Sequence, residues 1–344
     1  MKKILFFLQY DNLGSSSIYR VLIYKDLFDN EYKTKYTYFW SNRYIKKYML
    51  NKKRYFFFII FSYIINVIKR FYYLFFVAPK YDIVFLQRCF IPLIKPIFLR
   101  YLKKRNIKII FDIDDALHLS KFYYCNDIAK KSNCIIVGNR ELKKYYSSFN
   151  KNVFLIPTVD NDLKYKPFIK NTFKNKCIGW IGSKSTINNL DILVNPLNSL
   201  IKKHPEIYFK VIVDDISGYD NKINHLRYVK WDKNTYLKEM SEFSIGVMPL
   251  KINDFNKGKC GFKLIQYLDL NKPVLATDIG ENKYIVNNYG SMCGEDEWEK
   301  KIETLLFDEK EYRQCLSNIQ SNFLQKYGYF TIYKKITEVI NKEL

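Results

Sequence analysis

The sequence predicts an α/β protein made of two doubly wound domains, and three observations carry that prediction. Short apolar runs of strand length recur along all 344 residues, each followed by turn residues and a segment of helical periodicity. The pattern runs twice, separated by a polar, turn-rich stretch at 157–176 that holds Pro157 and Pro167. A chain of this length also suits two domains, at roughly 100–200 residues each. Strands alternating with helices imply parallel sheets, and two such domains imply a cleft between them.

In the first half, strands are expected at 3–8, 36–39, 82–86, 108–111, 134–137 and 153–156, and helices at 18–28, 92–104 and 140–146. The opening apolar run imitates a secretion signal. Gln9, Tyr10 and Asp11 interrupt it too soon, so it reads as the first buried strand. In the second half, strands are expected at 177–181, 209–213, 228–231, 245–249, 273–277 and 291–293, and helices at 190–202, 236–242, 263–270 and 297–306. From 309 onward the pattern is helical, with a break near Gly328. These readings give a first domain at 1–165, a second at 166–328 and a terminal helix at 329–344 that packs back on the first.

Charge is the strongest compositional signal. Fifty-seven Lys and Arg face 34 Asp and Glu, for a net charge of +23. A field of that size attracts nucleotide phosphates, nucleic acid or an anionic membrane. The lysines are spread over both halves and no nucleic-acid-binding motif is present, so nucleic acid is not the expected partner. Seven scattered cysteines, never in a C-x-x-C pair, point to reduced thiols in the cytoplasm. No zinc spacing and no hydrolase constellation is visible, and His204 and His225 read as solvated.

The first domain carries an aromatic, basic insertion at about 52–78. Its segment 55–77 reaches spanning length only by burying Lys69 and Arg70, which argues against a transmembrane helix. Amphipathic helices packed on the domain and an interfacial helix on an anionic membrane remain. The second of these places the protein peripherally, at the inner face of the cell membrane.

Four stretches stand out as candidate sites. The segment 257–282 reads as a basic loop with Lys259 and Gly261, a helix with Lys263 and Gln266, a buried strand, and a loop with Asp278 and Gly280. Loops at the carboxyl ends of parallel strands are where such sheets bind nucleotides, and free N–H groups at helix starts hold phosphates. At the first turn of the second half, Gly182 allows close backbone approach, and Ser183, Ser185 and Thr186 offer hydroxyl donors. The corresponding turn of the first half has Gly14, Ser15 and Ser16, suited to a phosphate or sugar, or to capping a helix. The run Phe111-Asp-Ile-Asp-Asp-Ala-Leu-His brings Asp114, Asp115 and His118 to a strand end. They can contact or deprotonate an acceptor hydroxyl, bind Mg²⁺ or Mn²⁺, or cap the next helix. Acceptor contact without a metal is the preferred reading.

Lys259-Cys-Gly-Phe-Lys-Leu-Ile-Gln-Tyr-Leu, then Lys272-Pro-Val-Leu-Ala-Thr and Gly280, resembles the donor-binding region of glycosyltransferase family 4, of GT-B fold. Phe111-Asp-Ile-Asp-Asp and Ile178-Gly-Trp-Ile-Gly-Ser are similar to segments of a bacterial, surface-polysaccharide branch. The resemblance implies two Rossmann-like domains and sugar transfer, with retention and without a metal or cofactor, from a UDP- or GDP-linked donor to a glycan or lipid-linked acceptor. It places Gly261 against the donor phosphates and Lys259 and Lys263 as their counter-charges. Gln266 stands where the family has a ribose-contacting glutamate, and Gly258 where it has the glutamate facing the donor sugar. A nucleotide-sugar epimerase of the same fold and a non-catalytic anion- or nucleic-acid-binding protein are the alternatives.

Overall fold

The structure, a computed structural model, describes residues 1–49 and 51–343. It divides into two units, Met1–Thr158 with the chain from Ile332 onward, and Val159–Thr331. Each is a six-stranded, wholly parallel sheet with helices packed on it.

The first sheet holds β1 (Lys3–Tyr10), β2 (Lys33–Trp40), β3 (Ile83–Gln87), β4 (Lys108–Ile113), β5 (Cys134–Val137) and β6 (Val153–Leu155). Their order across the sheet is β2-β1-β3-β4-β5-β6. Residues 4–8 and 83–87 are buried on both faces, as continuous apolar runs in a covered parallel sheet should be. One layer of the core runs from Leu5 and Phe7 through Val84, Leu86, Ile109 and Phe111 to Ile135 and Val137. Every expected strand forms. The helical signal at 18–28 splits into Ser15–Arg20, a short turn and Lys25–Glu31, and only Leu99–Lys104 of 92–104 is α-helical. Pro92 and Pro96 explain the second loss, because each lacks an N–H and biases the preceding residue away from the helical region.

The terminal helix Tyr329–Glu343 delivers Tyr333 to the first unit, with ring centroids 5.7 Å from Tyr24 and 5.2 Å from Phe28. Asn341 accepts a hydrogen bond from the Tyr32 hydroxyl at 3.1 Å. The division between units falls at Thr158 and Val159, upstream of 165. The hydroxyl of buried Tyr165 accepts from the Gln266 amide at 3.2 Å, which ties this stretch to the second unit.

The second sheet holds β7 (Cys177–Ile181), β8 (Tyr208–Val213), β9 (Leu226–Lys230), β10 (Ile245–Met248), β11 (Val274–Thr277) and β12 (Gly290–Cys293). Their order is β12-β11-β10-β7-β8-β9, around a core centred on Ile178, Trp180, Val211, Val247 and Leu275. In both sheets the chain moves outward in one direction, then returns beside its first strand. The resulting switch points lie between β1 and β3 and between β7 and β10, where such sheets open a ligand crevice at the strands' carboxyl ends.

All seven cysteines are buried and free. His225 is exposed, as expected, whereas His204 is half-buried. His204 Nε2 lies 2.8 Å from Glu303 with its ring 4.3 Å from Phe307, and His225 Nδ1 is 3.2 Å from the Ile207 carbonyl.

Candidate active site

The crevice between β7 and β10 is set by glycines in both strands. Gly246 and Gly179 lack the Cβ that would strike the rings of Tyr267 and Phe243, so the helix Phe262–Asp269 packs close to the sheet. The Tyr267 hydroxyl then accepts from the Ile181 N–H at 3.1 Å and donates to the Val247 carbonyl at 3.3 Å. It bridges the two strands at their switch point, and burial pushes its titration well above the ordinary tyrosine value. No sequence pattern marks this role, because a tyrosine on a helix reads as core.

Three loops gather around this point. After β7, Ser183 closes a capping box with Thr186 at the start of a 3₁₀ run, and its Oγ lies 2.8 Å from Ser185 Oγ. Gly182 is not open space held for a ligand: a Cβ there would meet the Trp180 indole at 2.2 Å. After β10, Asn253 caps a single helical turn at Asp254–Lys257. Asn189 braces this loop from across the crevice, accepting from the Lys251 N–H at 3.0 Å and from Asn256 Nδ2 at 3.3 Å. After β11, Thr277 accepts from the Leu250 N–H at 2.8 Å, and its carbonyl accepts from Asn282 Nδ2 at 3.1 Å.

Gly261 starts the helix Phe262–Asp269 in the left-handed region, with φ +68°, a conformation natural to glycine. Gly261, at the N-cap, has no side chain with which to cap the helix itself. Lys263, in its first turn, holds its Nζ 5.3 Å from the Trp180 ring centroid, reaching from the helix to β7. Lys259 rests its Nζ 4.6 Å from the ring of exposed Phe255. Gly182, Ser183, Ser185, Gly261 and Lys263 are thus drawn around one switch point, and Lys259 lies on the loop beside them. Gln266 is buried, and its amide donates to the Tyr165 hydroxyl at 3.2 Å. Tyr165 in turn donates to Asp160, which Lys164 pairs at 2.7 Å. The Asp214–Asp215 pair does structural work, accepting from the backbone N–H groups of Lys184 and Ser217.

The first unit's switch point is built from charges instead. Arg20 makes a bidentate, buried pair with Asp112, and its Nη1 donates to the Ile156 carbonyl at 2.8 Å and to Thr158 Oγ1 at 3.3 Å. Arg88, held at φ +69°, reaches Asp115 at 3.4 Å. Asp114 is buried with one carboxylate oxygen unpartnered. Burial first, and the charge of Asp115 second, push its carboxyl up to about 7. His118 stands apart in an aromatic nest, stacked 3.9 Å from Tyr145, and burial lowers its titration. Gly14 begins the helix Ser15–Arg20 without a side-chain cap. Ser15 is exposed, whereas Ser16 is buried with no partner for its hydroxyl. Ser17 is the engaged serine of the run, accepting from the Tyr10 N–H at 3.1 Å and donating to Gln87 at 3.3 Å. Among the described residues, no cluster of three or more His, Cys, Asp or Glu could hold a metal ion.

No protein-family model matches the sequence, and no curated protein does. Solved structures do match. Anabaena Alr3699/HepE, in complex with UDP-glucose, aligns over 99% of this chain and all of its own, with TM-score 0.70 at 14% identity. An alpha-glucosyltransferase in complex with UDP-glucose and DNA containing an abasic site aligns over 98% of this chain and 99% of its own, with TM-score 0.62 at 11% identity. UDP-GlcNAc 2-epimerase from Neisseria meningitidis, bound to UDP-GlcNAc, aligns over 99% of this chain and all of its own, with TM-score 0.60 at 15% identity. The chain therefore has the GT-B fold, two Rossmann-like domains in one polypeptide. At such identities the likeness is one of fold.

Proposed function

We propose that the protein is a glycosyltransferase that moves a sugar from a nucleoside-diphosphate donor to a hydroxyl of a glycan or lipid-linked acceptor. The carrying observation is the β7–β10 crevice, where the Ser183 and Ser185 hydroxyls, the helix start behind Gly261 and Lys263 meet, with Lys259 on the adjoining loop. Such a site suits a diphosphate, since N–H groups and ammonium groups together stabilise charge on a leaving phosphate. UDP is the first donor base to try, because three structures of the same fold are bound to UDP-sugars.

In this reading the bond from the anomeric carbon to the diphosphate breaks as the acceptor oxygen bonds to that carbon on the same face. The acceptor proton leaves with the departing phosphate. Lys259 and Lys263 neutralise the diphosphate, and no metal or protein nucleophile takes part. The first unit supplies acceptor contacts: Asp115 as a carboxylate steadied by Arg88, Asp114 as a carboxyl that can donate near neutral pH, and His118 and Ser15 at the margins. The amide of Gln266, already donating to Tyr165, keeps its oxygen for a ribose hydroxyl. Buried free thiols suit a cytoplasmic enzyme, and surface-polysaccharide synthesis is the pathway this reading favours.

Titration calorimetry with UDP and GDP tests the site. The Lys259→Ala/Lys263→Ala double variant is expected to lose affinity at least tenfold for whichever diphosphate binds. Unchanged affinity would sink the assignment. The fold shared with the 2-epimerase favours one second reading, in which the same crevice holds the substrate of an epimerase. Conversion of a UDP-sugar to its 2-epimer with no acceptor present would select it.

A further inference from the structure

The helix Phe56–Tyr72 and the turns to Lys80 form a segment long and apolar enough to cross a membrane. Its inner face is already used. Ile59, Tyr63, Val67 and Phe71 pack on the first unit's core, and Leu74 is fully buried. The Tyr63 hydroxyl donates to the Pro92 carbonyl at 2.5 Å. Arg70 turns inward, donating to the Leu8 and Thr37 carbonyls with its guanidinium 4.8 Å from the Phe7 ring centroid. A segment fastened to a sheet along one face, by an arginine buried in the last turn of its helix, cannot be surrounded by lipid.

The outer face is also apolar. Phe57, Phe61, Ile64, Ile68, Tyr72 and Phe76 recur at helical spacing and are all exposed, Phe57 at 83% and Phe61 and Phe76 at 66%. Scattered exposed apolar residues are ordinary, but a contiguous stripe of this kind marks an interaction surface. Its surroundings say what the partner is. Between Glu31 and Asp82 the sequence has eleven Lys or Arg and no Asp or Glu. Lys46, Lys47, Lys52, Lys53 and Arg54 are exposed just before the stripe, and Lys69 and Lys80 along and after it. Two copies meeting through this face would bring like charges together. An apolar strip rimmed by cations instead fits a surface of acyl chains beneath anionic headgroups.

We infer that the Phe56–Lys80 segment docks the first unit on an anionic lipid bilayer, its outer stripe lying in the interface and the flanking lysines on the headgroups. This inference stands apart from sugar transfer, since a protein of any activity could use such a face. Sedimentation with vesicles of phosphatidylcholine, with and without phosphatidylglycerol, tests it. The full chain is expected to bind the mixed vesicles at least tenfold more strongly than phosphatidylcholine alone, with the preference falling as salt rises. Phe57→Ser/Phe61→Ser/Ile68→Ser should abolish binding while leaving the melting temperature within a few degrees, because those side chains face outward. Lys52→Ser/Lys53→Ser/Arg54→Ser should remove the anionic preference. Equal binding by the first triple variant and the unaltered chain would overturn the inference. So would a stable dimer, by light scattering, that the same variant converts to monomers.

Discussion

The two switch points share a topology and differ in chemistry. Between β7 and β10 the bracing groups are neutral, Tyr267, Asn189 and Thr277, and Lys259 and Lys263 each hold the ammonium against an aromatic ring. Around β1, β3 and β4 the bracing groups are themselves ionic, and Arg20 is spent on Asp112, the Ile156 carbonyl and the Thr158 hydroxyl. One switch point is braced by neutral hydrogen-bonding groups, and the other by a buried ion pair. Substitutions in the first unit should therefore register mainly in stability, and those in the second mainly in nucleotide binding.

The sharpest way to break that contrast is Arg20→Ala. Leaving Asp112 buried without its partner should cost about 3–5 kcal/mol in denaturant unfolding. A loss below about 1 kcal/mol would mean that the pair does not brace the unit. Next comes Asp114. The folded protein holds this proton to about pH 7, whereas the unfolded chain releases it near the ordinary value of 3.8. The folded state therefore binds more protons across that window, and stability falls as pH rises through it. Asp114→Asn should flatten this slope, gaining a few kcal/mol relative to the unaltered protein at pH 7.5 and little at pH 4. Parallel melting curves for the two proteins at both pH values would refute it. The smallest effect on stability belongs to the second unit. Gly261→Ala puts a Cβ at φ +68°, 2.3 Å from the flexible end of Ile285, at a cost of about 1–2 kcal/mol. Its consequence for UDP affinity should be larger, because the helix start must shift. Intact affinity in a destabilised variant would separate Gly261 from the site.

Much of the fold was legible because parallel strands buried on both faces leave an unmistakable record. Apolar runs such as 109–111 and 134–137, bounded by turn residues, located every strand of both sheets. The helix boundaries were less legible. Pro92 and Pro96 sit inside an apolar periodicity, and periodicity alone did not register the hydrogen bonds that they remove. Within the candidate site, Gly261 and Lys263 were visible from local spacing, since a glycine before a helix and a lysine in its first turn are neighbours in sequence.

What sequence by itself determined was therefore local: which segments are strands, which loops lie at their carboxyl ends, and that the chain is strongly cationic. Only tertiary structure decided what those charges meet. Arg20 meets Asp112 across 92 positions, Tyr267 meets Ile181 across 86, and Arg70 reaches Leu8 across 62. Such pairings depend on strand order and on how a helix seats on its sheet. Helical periodicity could show that 55–77 has apolar faces. It could not show that one face is spent on the core and the other left outward, because both carry the same residue types and only packing tells them apart.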